Sequence, residues 1–187
     1  VSTILLYHLP NQVNSASDPN KLTVRHALRY GIGAGFICVI WVIVLYLTDN
    51  NPYGPKRLLS VFVPPLAVLL CQWAVRRSFL PVGPGLRRVL LAGILTTVLS
   101  AVTSAAGVYG FARITGQAPI DRHLAEMKTL LEASKAEFVK QPGGQEQYDR
   151  ARQSLAHTPQ ALASDDFEKK LLFGLLLSFP GGVFFRK

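Results

Sequence analysis

Two cysteines, four histidines and eleven acidic side chains are all that this 187-residue chain offers of the groups that most often carry redox and acid–base chemistry. The cysteines are not at CxxC spacing, which excludes the common redox and zinc motifs. Cys38 and Cys71 each fall inside an apolar run and read as small packing residues. The four histidines, His8, His26, His123 and His157, lie in polar segments or at the edge of an apolar run, so the facing pair of a haem-binding bundle is missing. Charge is the scarcest commodity. Tyr30–Thr48 and Val89–Ala112 contain no Asp, Glu, Lys, Arg or His. Proton or cation coupling across a membrane normally needs a carboxylate at depth, and these runs supply none. The expectation is therefore no catalytic residue, no cofactor and no metal site.

What the chain does have is four apolar runs, Tyr30–Thr48, Leu58–Val75, Val89–Ile114 and Leu171–Phe185, separated by basic clusters. A helix rising about 1.5 Å per residue needs roughly 20 apolar residues to cross a hydrocarbon core about 30 Å thick. The first and third runs meet that length. The second is near the lower limit, and the fourth is about five residues short of it. Glu168, Lys169, Lys170, Arg186 and Lys187 flank the fourth run, and long basic side chains there can reach the headgroups. The alternative for that run is a re-entrant or interfacial segment.

A net charge of +9 would suggest nucleic acid in a soluble protein. Here its distribution speaks for a membrane and against nucleic acid. Lys21, Arg25 and Arg29 precede the first run, Lys56 and Arg57 follow it, and Arg76, Arg77, Arg87 and Arg88 follow the second. From Arg113 to Lys170, nine basic residues balance nine acidic ones, and Arg186 and Lys187 end the chain. Short loops rich in Lys and Arg stay in the cytoplasm, whereas long polar segments count little. The expected topology has both termini inside and the long polar segment outside, in a bacterial inner membrane.

Four segments follow: an N-terminal arm (1–24), membrane helices one to three (25–115), an extramembrane helical hairpin (116–169), and a short fourth membrane helix (170–187). The arm has no basic region ahead of its apolar stretch Ile4–Leu9, which argues against a signal peptide. Gly31 and Gly35 stand at GxxxG spacing, a close-packing face rather than a nucleotide loop, because no strand precedes them. Gly93, Thr97, Ala101 and Ala105, with Ser100, Ser104 and Gly107 nearby, form a second small-residue stripe. Pro64–Pro65 falls in the middle of the second run and should bend it. Gln72 and Trp73 suit an interhelical bond and an aromatic belt. In the polar segment, a helix from Pro119 to about Lys140 carries Leu124, Met127, Leu131 and Phe138 on one face. Pro142-Gly143-Gly144 ends it, and a second helix runs from about Gln145 to His157. Asp165, Asp166 and Glu168 read as dipole-favouring residues at the start of the last helix, capped by Ser164.

Taken together, RHALRYGIGAGF at Arg25–Phe36, LYLTDNNPYGPKRLLS at Leu45–Ser60, DRHLAEMKTLLEASKAEF at Asp121–Phe138 and TPQALASDDFEKKLLFGLLLS at Thr158–Ser178 resemble a bacterial family, domain of unknown function 4199, over roughly residues 21–187. The loop Asn51-Pro52-Tyr53-Gly54 is the most specific part of the match. The resemblance implies a small inner-membrane protein with about four spans and a long polar segment before the last. It implies no activity and no site residues.

The fold class expected is all-α: an integral membrane protein of about four transmembrane helices with an extramembrane helical hairpin before the last span. The function expected is that of a non-enzymatic accessory or assembly subunit of a larger envelope complex. Its partners would be membrane lipids and either a membrane protein or further copies of itself. The second reading is a small oligomeric transporter or channel.

Overall fold

A computed structural model describes residues 18–187, so the N-terminal arm lies outside it up to residue 17. Among the described residues the regular structure is helical throughout. Helix α1, Pro19–Leu47, begins where Asp18 accepts a bond from the Asn20 amide and Pro19 takes the first helical position. Residues 19–24, expected in the arm, therefore belong to the helix. It ends where Thr48 bonds back to the Val44 and Leu45 carbonyls and Asp49 turns to φ 56°. A 3-10 segment, Pro55–Phe62, then returns alongside α1. The Trp41 indole donates to the Lys56 carbonyl at 3.2 Å, and the Cys38 thiol donates to the Ser60 carbonyl at 3.4 Å.

Helix α2, Val63–Ser78, starts only after that segment. Pro64 and Pro65 thus occupy the first turn of a helix, where missing amide donors cost little, and they produce no mid-helix bend. Helices α3 (Leu86–Thr115), α4 (Ala118–Val139), α5 (Gly144–Gln153) and α6 (Pro159–Phe184) complete the chain. The last differs most from expectation. It starts eleven residues before Lys170, on the cap Thr158, whose hydroxyl accepts from the Ala161 amide at 3.1 Å. Ser164 is an interior residue of α6, not its cap.

Helices α1, α2, α3 and α6 pack together with α3 at the centre. Along α3, Gly31 and Gly35 of α1 face Thr96 and Thr103, and Val39 faces Gly107, so α1 and α3 run parallel. Lys170, Gly174 and Gly182 of α6 meet Ser104, Thr97 and Leu90, so α6 runs antiparallel to α3. The interior is made of small and hydroxylated residues, with Ala27, Ala92, Thr96, Thr97, Ser100, Ala101 and Ser178 all buried. Large apolar side chains are outside: Phe36, Ile40, Leu66, Leu172 and Leu176 are each more than half exposed. Water would penalise that arrangement, whereas lipid tails accept it and leave close approach and interhelical bonds to hold the helices. Three helical stretches, Pro19–Leu47, Pro55–Ser78 and Leu86–Thr115, are long and apolar enough to cross a membrane.

Two ends follow from this packing. At one, His26 of α1 meets Ser78 of α2 at 3.2 Å, and the Gly85 amide donates to the Arg186 carbonyl at 3.2 Å. The other holds the 3-10 segment and α4.

A Cβ added at Gly35 would sit 2.5 Å from Thr103 Cβ, whereas one added at Gly33 meets nothing within 4 Å. Gly35→Leu is expected to destabilise the protein by about 1–3 kcal/mol through overpacking, and Gly33→Ala to leave it unchanged. Thermal unfolding in detergent compares them; equal midpoints would show that α1 does not depend on this close approach.

Candidate functional site

The 3-10 return directs Arg57 inward, 5% exposed, against the first half of α6. There the sequence places two carboxylate–ammonium pairs at i, i+4 on one helix, one residue apart, so each faces a different surface. Asp165 and Lys169, joined at 2.7 Å, are partly exposed. Arg57 Nη2 donates to the same Asp165 carboxylate at 2.7 Å. Asp166 and Lys170 are turned inward, 2% and 0% exposed. Lys170 Nζ donates to Asp166 Oδ1 and to Ser104 Oγ, each at 2.6 Å, while Ser104 Oγ donates to Asp166 Oδ2 at 2.7 Å. A hydroxyl that donates and accepts at once closes the triangle. The second guanidinium contact, Arg57 Nε to Asp166 Oδ1, is longer, at 3.9 Å.

Above this cluster lies the loop Asn51-Pro52-Tyr53-Gly54, whose four residues are buried. Asn51 Oδ1 accepts from the Tyr53 amide at 2.9 Å and so shapes the turn. Asn51 Nδ2 donates to Glu126 Oε2 at 2.6 Å and to His123 Nδ1 at 3.3 Å. That assigns the ring proton of a neutral His123 to Nε2. The Tyr53 ring meets Phe111 and His123 edge to face. Burial first, and then Arg57, hold the His123 imidazole below its ordinary range, against the opposing pull of Glu126 and Asp165. Burial pushes the Tyr53 phenol up, so it keeps its proton as a donor.

Between loop, 3-10 segment, α4 and α6 opens a cleft of about 360 Å³. Arg57, Lys169, Asp165, His123, Tyr53 and Ser154 supply its polar wall, and Leu58, Met127, Leu155 and Leu162 its apolar one. Two buried donors at this wall have no bonded partner among the described residues, Arg57 Nη1 and the Tyr53 hydroxyl. Thr115, which donates its own proton to the Phe111 carbonyl, stands near that hydroxyl with its oxygen free to accept from it. No group of three His, Cys, Asp or Glu side chains suited to a metal ion gathers among the described residues.

The family described as "Protein of unknown function (DUF4199)" matches residues 29–187. The chain belongs to the DUF4199 family. No curated protein and no solved structure matches it.

The match encloses the whole site of this DUF4199 chain, which revises two expectations. Asp165 and Asp166 do not serve the start of the last helix; they sit within it and neutralise Arg57, Lys169 and Lys170. Nor is the helical interior free of charge, since Ser104, in the uncharged stretch of α3, receives an ammonium and gives to a carboxylate. The sequence held the signal: Thr158-Pro159 marks a helix start, and from there Asp165/Lys169 and Asp166/Lys170 fall at i, i+4. Gln72 does bond across helices, to the Ser178 carbonyl at 2.9 Å and the Val89 carbonyl at 3.3 Å.

Removing one member of a buried pair strands the other, at about 3–5 kcal/mol, whereas replacing both with apolar residues is often neutral. Lys170→Met or Asp166→Leu alone should therefore unfold the protein far more readily than the double variant, measured by thermal unfolding in detergent. Additive losses would show that the pair is not coupled.

His123 gives a pH dependence. Its folded-state pKa lies below the ordinary 6.5, so its neutral form contributes stability that is complete above that pH. As the pH falls below it, the unfolded chain takes up a proton that the folded one resists, and that contribution is lost. His123→Gln should flatten the acid limb of the stability profile between about pH 6.5 and 5; an unaltered limb would remove His123 as its cause.

Proposed function

We propose that this protein is a non-enzymatic, four-span membrane protein that works by contact, as an accessory or assembly subunit of a bacterial envelope complex. The observation that carries this reading is the attachment of α4. Its links to the rest of the chain fall in its first ten residues: Ile120 enters the core, His123 and Glu126 bond Asn51, and Arg122 bonds Asp49 at 3.0 Å. Farther along, its partner is α5, through the edge-to-face contact of Phe138 with Tyr148 and the Lys135 ammonium over the Tyr148 ring. A 22-residue helix is about 33 Å long, so most of this hairpin stands clear of the helical body. An arm held at its base suits engagement of another protein.

The topology supporting this reading has both termini in the cytoplasm and the hairpin outside. Nine cations, Lys21, Arg25, Arg29, Arg76, Arg77, Arg87, Arg88, Arg186 and Lys187, belong to the end where α1 begins and the chain finishes. Helix α6 serves as the fourth span, its outer face apolar from Leu172 onward and its buried charges turned toward α3.

One observation favours the second reading, a transporter. Below the Asp166–Lys170 pair, Ser100, Thr97, Ser178 and Gln72 continue a line of buried polar side chains through the interior. Against it, Gly174 lies so close to Thr97, and Gly181 to Gln72, that an added Cβ would overlap them, which leaves the line tightly packed.

Two experiments test these readings. With Cys38 and Cys71 replaced, a cysteine at Gln145 should react with a membrane-impermeant thiol reagent in intact spheroplasts and one at Gly83 should not; labelling at Gly83 alone inverts the topology. In mild detergent the protein should be recovered with a larger partner or as an oligomer, and Leu124→Asp with Leu131→Asp should release that partner. A lone monomer, together with proton flux into proteoliposomes that Asp166→Asn abolishes, would favour transport instead.

A further inference from the structure

We propose that the cleft beside Arg57 binds a phosphate ester group, held by Arg57 and Lys169. This stands whether or not the hairpin docks a partner. Charge is the first argument. The charged residues lining the cleft are Arg57, Lys169 and Asp165, and behind them Asp166 and Lys170 cancel, so the wall carries one positive charge in excess, with Lys169 partly exposed. Arg122, Asp49 and Glu126 bond to one another and to Asn51 and do not line the cleft. An anion in the cleft would offset that excess beside the buried Arg57.

Donor geometry is the second. Arg57 is 95% buried, its other guanidinium nitrogens face the two aspartates, and Nη1 has no acceptor among the described residues. Tyr53 lines the same cleft, with its hydroxyl near Thr115. Arg57 and Lys169 come from two separate segments of chain, the 3-10 segment and α6, so their donors approach from different directions. Such a set fits the several oxygens of a tetrahedral phosphate better than the two coplanar oxygens of a carboxylate.

Level and surroundings are the third. Trp41 bonds to Lys56 next to Arg57, and Tyr109 of α3 is partly exposed one turn beyond Ser104, as aromatic residues at a headgroup layer would be. Leu58, half exposed, joins the cleft to the apolar outside of the 3-10 segment, a path along which an acyl chain can lie. The same chemistry recognises a phospholipid headgroup or a soluble phosphate.

The test uses the full chain in a phosphate-free detergent, titrated by calorimetry with dihexanoylphosphatidylglycerol, inorganic phosphate and phosphate-free dioctanoylglycerol. Binding of the phospholipid with no competition from inorganic phosphate supports the site with a lipid as its source. Comparable binding of inorganic phosphate supports it with a soluble source. Lys169→Gln, a partly exposed change that leaves Asp165 paired with Arg57, should weaken binding about tenfold, as loss of one charge-assisted bond does. Arg57→Gln should abolish binding where the variant folds. Absence of binding by either phosphate probe, equal binding of dioctanoylglycerol, or full affinity in a folded Lys169→Gln protein would overturn the proposal.

Discussion

An ammonium and a carboxylate buried together have one tolerable arrangement, and Asp166 with Lys170 adopts it only where Ser104 completes the triangle. Because both charges are on α6 and the hydroxyl is on α3, the triangle fixes how far α6 has slid along α3 and which way it is turned. Moving either helix by one residue would replace Ser104 with Thr103 or Ala105 and leave two charges with an incomplete shell. The close contacts farther along the pair, Gly174 on Thr97 and Gly182 on Leu90, are those this register allows. The second pair, one residue earlier on α6, is thereby presented to Arg57, and the wall of the cleft is built.

Much of this was legible in the sequence because it depends on sums over many residues. Length and hydropathy located α1 and α3, and the small-residue spacing marked Gly31, Gly35 and the Gly93–Thr97–Ala101 stripe as contact faces, where they are buried. What was not legible turned on single boundaries. Hydropathy ignores caps, so an apolar run beginning at Leu171 hid a helix beginning at Pro159. Pro64–Pro65 looked like a kink because the preceding residues, apolar in composition, form a 3-10 segment rather than the first turns of α2.

Arg57 shows a deeper limit. Counted along the chain it is one of two cations between the first two apolar runs, with no mark to separate it from Lys56. In the fold Lys56 is exposed and Arg57 buried, because the 3-10 turn sends successive side chains to different sides and the carboxylate that meets Arg57 is 108 residues away. No local pattern encodes a contact of that range. Yet the loop that looked most family-specific, Asn51-Pro52-Tyr53-Gly54, proved to be the segment that joins Arg57 to α4 through Tyr53, His123 and Glu126.

That junction links the two parts of the molecule. Asn51 reaches the base of the hairpin through His123 and Glu126, and Tyr53 packs on both His123 and Phe111 of α3. The cleft lies at the same place, lined from one side by His123 and Met127 of α4 and from the other by Arg57, Asp165 and Lys169. A group drawn in by the surplus charge of the helical body would touch the root of the arm as well. Beyond that base α4 packs on α5, through Phe138 against Tyr148. The buried charges, the loop and the base of α4 thus meet in one place, where Asn51, Tyr53, Arg57 and His123 between them serve the wall of the cleft and the attachment of α4.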